Sequence, residues 1–214
     1  MTAPTVYGPA YSTYARTVRL ALEEKGVDYK LQEVDLLQGE AQKPEHLSRQ
    51  PFGKVPAFAH DGFALYEVAA IGRYIDEAFP GPKLQPADVK RRARMAQIVS
   101  IVDSYAYGCL IGKVVWQRAI TPLLGGTTDE KIIADAMPQV EKSVAALEGL
   151  VDADGPFLCG PEISLADVHL APVMAYFSQT PEGEKALAGA PRLARWWDKI
   201  SQRPSVTKTQ PKLG

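Results

Sequence analysis

The sequence has little cysteine, almost no imbalance of charge and no long apolar run. Its only cysteines, Cys109 and Cys159, stand apart, without a CxxC pair or a metal-ligand spacing. Isolated thiols of this kind are usually buried structural residues, so we expect neither a redox dithiol nor a bound metal. They also suit a reducing compartment, where disulfides are rare.

The balance of charge excludes a second group of functions. The chain has 24 Lys and Arg residues against 25 Asp and Glu residues, for a formal net charge of -1. Binding of nucleic acid or anionic membranes depends on excess positive charge, so neither partner is expected. There is no run of about 18 apolar residues, and Met1–Thr5 lacks the basic and apolar parts of a signal peptide. We therefore expect a cytoplasmic protein.

The first 80 residues show the pattern of a small α/β domain. The predicted elements are a strand over 5–8, a helix over 12–25, a strand over 29–34, two strands over 57–60 and 63–66, and a helix over 67–79. Gly26 is typical of a helix end, and Asp61-Gly62 predicts a two-residue hairpin turn. The order βαβ then ββα is that of a thioredoxin-like domain, although the pattern alone permits other small α/β sheets.

A cluster of prolines separates this domain from a helical remainder. Pro80, Pro82 and Pro86 predict a linker over 81–87, between an α/β domain over 1–80 and an all-α domain over 88–214. Helical stretches are expected from 88 to about 118, from about 127, and over 192–203. Pro138 should kink or delay the second of these. Ser164 and Asp167 fit a capping box at the start of a further helix.

Several short motifs occur in an order and spacing that resembles the soluble glutathione transferases. The motifs lie at 23–27, 51–56, 65–67, 71–75, 158–160, 164–167 and 203–204. The segment Pro-Phe-Gly-Lys-Val-Pro-Ala at 51–57 is most similar to the corresponding segment of the phi-like branch of plants and bacteria. The resemblance implies a glutathione-transferase fold, glutathione as co-substrate, a hydrophobic electrophile as second substrate, a homodimer and a role in detoxification.

The resemblance also implies how the thiol is activated. A thiol with a pKa of about 8.5 is mostly protonated at neutral pH, so the enzyme must favour the thiolate. A hydroxyl donor near a helix N-terminus does this. Ser12 matches the phi-like catalytic serine, and its structural alternative is an N-cap of the first helix. Tyr7 and Thr13 are the other candidate donors, although Tyr7 is expected to pack on the sheet. Arg16 holds the loop or is solvated.

The tripeptide is expected to lie along the segment that enters the hairpin. A proline cannot donate to a strand ladder, so Pro56 belongs at an edge or a bend, where a cis peptide bond can occur. The resemblance places the cysteinyl backbone of glutathione on Val55 and its glycine end near Lys54. The glutamyl end would meet Glu67 and the unpaired amides of the helix that follows.

Two positions depart from the family pattern. Val68 stands where the family usually has serine or threonine, which removes a hydroxyl bond to a charged group. Ala41 and Gln42 occupy a stretch where the phi-like pattern places basic residues, so Lys43 alone keeps the charge there. These departures motivate an alternative function, in which the same fold binds a hydrophobic ligand or a protein partner without catalysis.

Other expected contacts concern the second substrate and the dimer. The family places the electrophile pocket between the two domains, with Tyr11, Tyr107 and Ile111 as lining residues. Tyr107, Ile111 and Trp116 lie at helical spacing, so all three could equally pack in the core, and Trp116 is expected there. Phe52 either enters a pocket of the partner subunit or is buried within its own chain.

Overall fold

The computed structural model describes residues 2–210 and divides them into two units. The first unit contains the residues up to Gln85 together with the described residues from Arg203 onward, and the second is Pro86–Gln202. The sequence placed 203–214 in the helical domain, whereas 203–210 group with the first unit. Residues 211–214 of that expected domain lie outside the described part of the chain.

A four-stranded mixed sheet organises the first unit. Its strands are β1 (Thr5–Tyr7), β2 (Lys30–Gln32), β3 (Ala57–His60) and β4 (Phe63–Tyr66), in the order β2-β1-β3-β4. β1 pairs parallel with β2 and antiparallel with β3, with Val6 opposite both Leu31 and Phe58. The predicted hairpin is confirmed, since β3 and β4 pair directly with His60 opposite Phe63. The thioredoxin-like order βαβ-ββα is thereby confirmed.

Helices complete this unit and supply its core. They are α1 (Thr13–Lys25), the short α2 (Pro44–Leu47) after a 3-10 turn at Glu40–Gln42, α3 (Val68–Ala78) and α11 (Pro204–Lys208). α1 packs against α3, and Val18, Leu22, Ile71 and Ile75 are fully buried. Burial of an aliphatic side chain of this size stabilises the fold by about 1.5–3 kcal/mol.

The C-terminal helix is held to α1 by buried polar contacts. Arg16 is only 2% exposed. Its Nη2 donates to the carbonyl of Val206 at 2.9 Å, and its Nε donates to Thr209 Oγ1 at 3.3 Å. The Arg203 guanidinium also donates to the carboxylate of Glu24, at 2.6 Å from Nη2. The solvated alternative for Arg16 is therefore wrong.

The second unit is helical, as predicted. Its α-helices are α4 (Val89–Ile101), α5 (Tyr107–Cys109), α6 (Thr121–Leu123), α7 (Glu130–Leu150), α8 (Leu165–Phe177), α9 (Pro181–Ala188) and α10 (Pro191–Ile200). α4 to α6 form one continuous helix, joined by π-helical segments at Val102–Ala106 and Leu110–Ile120. Length and composition alone would let this helix cross a membrane, but core helices of soluble proteins share both properties, and 44% of its apolar window is buried within the protein.

Two local predictions in this unit have different outcomes. The capping box is confirmed, because the Asp167 carboxylate accepts from the Ser164 amide at 2.8 Å and from its hydroxyl at 2.7 Å. The late start expected at Pro138 is wrong, because α7 begins at Glu130 and runs through it, and the kink expected there stays a prediction. Pro138 removes one helical hydrogen bond, and the burial of residues on both sides, such as Ile133 and Val140, offsets that loss.

Candidate active site

Ser12 lies at the junction of the first loop and α1. It is the N-cap residue, and its Oγ accepts from the Ala15 amide at 3.3 Å. Its own amide donates to the carbonyl of Pro9 at 3.0 Å, which fixes the loop before it. A hydroxyl group has two acceptor lone pairs and one proton to donate. The capping role therefore leaves the Ser12 O–H available as a donor, next to the positive end of the helix dipole.

The other candidate donors, and Tyr11 in the same loop as Ser12, have different surroundings. The Tyr7 ring lies beneath the Arg49 guanidinium, with Cζ 4.5 Å from the ring centroid, which is a cation–π contact. Thr13 is buried at the start of α1. Tyr11 is exposed, and partial burial together with the nearby Asp35 carboxylate raises the pKa of its phenol. Such a phenol stays protonated at neutral pH.

The end of β1 brings the Ser12 loop close to the cis-proline segment. The Val55–Pro56 peptide bond is cis, as the sequence suggested. A Cβ atom added to Gly8 would lie 3.2 Å from the Ala15 Cβ and 3.3 Å from the Val55 Cβ. Glycine therefore allows the close approach of the first turn of α1 to Val55. The first turn of α1, which Ser12 caps, and the segment that carries Val55 therefore meet at Gly8.

Side chains from the preceding segment brace the loop that leads to Val55. Gln50 Oε1 accepts from the amides of Phe52 at 2.8 Å and Lys54 at 3.0 Å. Gln42 Nε2 donates to the carbonyl of Gly53 at 3.3 Å. His46 Nε2 lies 2.7 Å from the Lys54 carbonyl oxygen.

This bracing does not follow from the sequence pattern. Gln42 was expected only to remove a positive charge, and neither His46 nor Gln50 was expected to have a role. The available signal was a short run of polar residues before a proline-rich loop. Such a run does not specify which backbone groups its side chains will bind.

The charged residues near this loop remain accessible to a ligand. Lys54 is exposed. Lys43 is also exposed and contacts Glu40, with Nζ 3.2 Å from Oε1. The amide of Asp35, and then Lys43, lower the pKa of the Glu40 carboxyl. Ala41 is buried in the core, so a ligand does not reach that position.

The start of α3 is open to an anion. Glu67 is its N-cap residue, with φ at 69° and ψ at 112°, a sparsely populated backbone conformation that non-glycine residues adopt at a cost of about 1–3 kcal/mol. The Glu67 side chain forms no capping hydrogen bond with the first amides of this helix. Val68 is half-buried at the first helical position. Unpaired amides at a helix start favour a carboxylate, as expected for the glutamyl end.

The expected electrophile and dimer residues differ in exposure. Tyr107 and Ile111 are half-buried on the long helix. Trp116 is 48% exposed, so its expected place in the core is wrong. It lies in a π-helical segment, whose wider turns shift side chains from the positions that a 3.6-residue period predicts. Phe52 is 68% exposed, which excludes burial within its own chain.

Comparisons with known proteins identify the family to which the chain belongs. The family profile "Glutathione S-transferase, N-terminal domain" matches residues 6–83, and "Glutathione S-transferase, C-terminal domain" matches residues 98–204. The chain is 33% identical to the probable glutathione S-transferase GSTF1 of Oryza sativa subsp. japonica, over 97% of this chain and 95% of that protein.

Solved structures extend the similarity to the whole fold. Glutathione transferase F7 from Populus trichocarpa is 30% identical with a TM-score of 0.86, over 97% of both chains. Glutathione S-transferase I from maize, in complex with an atrazine glutathione conjugate, is 29% identical with a TM-score of 0.83, over 97% of this chain and 96% of that one. The chain therefore belongs to the glutathione S-transferase family and is a phi-like glutathione S-transferase enzyme.

Proposed function

We propose that this transferase conjugates the glutathione thiolate to a hydrophobic electrophile and that the Ser12 hydroxyl stabilises the thiolate. The observation that carries this proposal is the geometry of Ser12. Its oxygen accepts from Ala15, and its proton is left to donate at the start of α1. A hydrogen bond to a charged group stabilises that charge by about 1.5–3 kcal/mol.

Backbone groups and a few charges would hold the tripeptide. In this proposal Val55 pairs with the cysteinyl unit, next to Pro56, and Lys54 and Lys43 attract the glycine carboxylate. Glu67 would bind the α-amino group of the glutamyl unit. The open amides of α3, beginning at Val68, would bind its carboxylate.

The electrophile side of the site is proposed from residue type and exposure. Tyr107 and Ile111 are half-buried side chains on one helix, and Tyr11 presents an exposed aromatic ring. Such a set favours an apolar or aromatic electrophile, because it offers contact area with few polar groups. A detoxification role in the cytoplasm is consistent with this chemistry.

Two substitutions at Ser12 separate catalysis from helix capping. Ser12→Ala removes both the hydroxyl and the cap, whereas Ser12→Gly removes the hydroxyl but preserves helix capping to within a few tenths of a kcal/mol. Both variants should lower kcat/KM with glutathione and an activated aryl halide by about tenfold to 100-fold. Only Ser12→Ala should also lose about 1 kcal/mol of stability.

The outcome of these assays decides the role of Ser12. Full turnover in both variants would exclude it as the thiolate donor. Thr13→Val and Tyr7→Phe then test the alternatives in the same assay. Ultraviolet difference titration of bound glutathione gives the pKa of its thiol, which should rise when the true donor is removed.

Phe52 supports the proposal of a homodimer. Its side chain is 68% exposed, and aromatic side chains are enriched at protein interfaces. Its ring lies 6.0 Å from that of Tyr66, which is also exposed. Sedimentation of the parent at micromolar concentration should give a dimer, and Phe52→Ala should shift it toward monomer. An unchanged dimer would exclude Phe52 as an interface anchor.

A further inference from the structure

His46 is a buried residue of α2 that contacts the glutathione-binding loop directly. It is 3% exposed, and its Nε2 lies 2.7 Å from the carbonyl oxygen of Lys54. A carbonyl oxygen can only accept, so Nε2 carries the proton and donates. The imidazole is thereby fixed in its orientation and in its tautomer.

The other ring nitrogen shows what histidine contributes here. Nδ1 is buried and has no hydrogen-bond partner within residues 2–210. A buried acceptor without a partner lowers stability. An apolar ring would fill the same space without that cost. The property that histidine adds at position 46 is therefore the Nε2–H donor.

This donor fixes the plane of the peptide that precedes the cis-proline. The one cis bond in the described chain is Val55–Pro56, so the Lys54–Val55 peptide is trans and planar. In a trans peptide the C=O and N–H bonds point in opposite directions. With the Lys54 oxygen held by His46, the Val55 N–H points to the opposite side.

The Val55 amide is free to bind a ligand. It donates to no other group in the part of the chain that the structure describes. Gln50 and Gln42 hold the amide of Lys54 and the carbonyl of Gly53, but neither sets the plane of the next peptide. His46 alone among these braces contacts the peptide that carries the Val55 N–H.

We propose that His46 is a positioning residue for glutathione. Its hydrogen bond to the Lys54 carbonyl orients the Val55 N–H toward the cysteinyl carbonyl of the bound tripeptide. The inference rests on the proposed function for the identity of the ligand. The cysteinyl carbonyl is the same in the bound substrate and in the transition state, so the contact acts on binding and leaves the chemical step unchanged.

Two substitutions test the donor. His46→Phe keeps an aromatic ring but cannot donate, and His46→Gln keeps an N–H near the position of Nε2. Calorimetric Kd and kinetic KM for glutathione should rise about threefold to tenfold in His46→Phe, with kcat within about twofold of the parent. His46→Gln should restore both constants to within about twofold of the parent.

A second buried histidine provides the matched control. His60 is 5% exposed, lies in the same unit, and bonds through Nδ1 to the Tyr74 hydroxyl at 2.8 Å. His60→Phe should leave the Kd for glutathione unchanged. The unfolding midpoint of His46→Phe should stay within about 3 °C of the parent, because removal of the unpartnered Nδ1 offsets the lost hydrogen bond.

The possible outcomes separate this inference from the proposed function. A parent that binds no glutathione overturns both. A parent that binds glutathione, with His46→Phe binding equally well or His46→Gln failing to restore affinity, overturns the inference alone. Long-range proton–nitrogen NMR correlations of the parent should show the Nε2–H tautomer of His46. A proton on Nδ1 alone would overturn the inference without any variant.

Discussion

Lys25 and Asp76 form a buried ion pair, with Nζ 3.2 Å from Oδ1 and both side chains almost completely inaccessible. Lys25 also donates to the carbonyl of Pro82 at 2.9 Å, and Asp76 accepts from the amide of Leu84 at 2.7 Å. The pair thus connects α1 and α3 to the proline-rich segment at the end of the first unit. Buried charges persist only where such contacts satisfy them.

Asp76→Asn should destabilise the protein by about 3–5 kcal/mol, because it leaves the Lys25 ammonium buried without a counter-charge. Urea unfolding monitored by circular dichroism measures this loss. Asp135→Asn is the matched control, since Asp135 pairs with Lys131 on the surface, with side chains 66% and 79% exposed. It should change stability by less than about 1 kcal/mol. Equal effects would mean that burial of the ion pair is not decisive.

The same carboxylate should make stability depend on acid pH. Burial raises the pKa of Asp76, but the amide of Leu84 and the side chains of Gln85 and Lys25 together lower it below its ordinary value of 3.8. A carboxyl with a lowered pKa in the folded state contributes stability that is present above pH 3.8. That contribution is lost as the pH falls through the folded-state pKa.

Urea unfolding between neutral pH and the acid limit of folding measures this dependence. Below pH 3.8, the ordinary pKa of the Asp76 carboxyl, the free energy of unfolding of the parent should fall more steeply with decreasing pH than that of Asp76→Asn. The reason is that asparagine does not titrate. Parallel curves for the two proteins would assign the acid sensitivity to other groups.

Local chemistry explains which parts of the fold could be predicted from sequence. The hairpin followed from Asp61-Gly62, and the start of α8 followed from Ser164 and Asp167, because turn and cap residues act on neighbours within a few positions. Ser12 was found at the start of α1 for the same reason. The family resemblance supplied the order of the elements around them.

Contacts between distant residues could not be predicted in this way. Arg16 binds Val206 from the other end of the chain, and His46 binds a carbonyl that no sequence pattern marks. The exposure of Trp116 depends on π-helical geometry, which a 3.6-residue period does not represent. Tertiary packing and helix geometry determine these features, and local propensity does not predict them.

Gly53→Ala should weaken the loop that precedes Val55. Gly53 has φ at 61°, and a Cβ there would collide with the Gln42 side chain, which holds the Gly53 carbonyl. Strain and the displaced side chain should cost about 1–3 kcal/mol, and the Kd for glutathione should rise. Thermal unfolding and calorimetry measure the two effects.

Gly39→Ala tests backbone strain without the steric collision that a Cβ at Gly53 makes with the Gln42 side chain. Gly39 has φ at 69°, but open space surrounds its missing Cβ. Its substitution should cost about 1 kcal/mol and leave glutathione binding unchanged. If the two alanine variants behave alike, the Gln42 contact has no part in shaping the site.

Val68→Ser should tighten glutathione binding. Val68 occupies the first position of α3, where the amides are open and the glutamyl carboxylate is expected. A serine hydroxyl would add one hydrogen bond to a charged group. The entropy lost on ordering the serine side chain offsets part of the free energy of that bond, so the Kd for glutathione should fall about fivefold to tenfold. Val68→Ala, which removes methyl groups without adding a donor, should bind glutathione as the parent does. Calorimetry measures both affinities. Equal affinities for Val68→Ser and Val68→Ala would mean that the backbone amides alone satisfy the glutamyl carboxylate and that Val68 does not weaken glutathione binding.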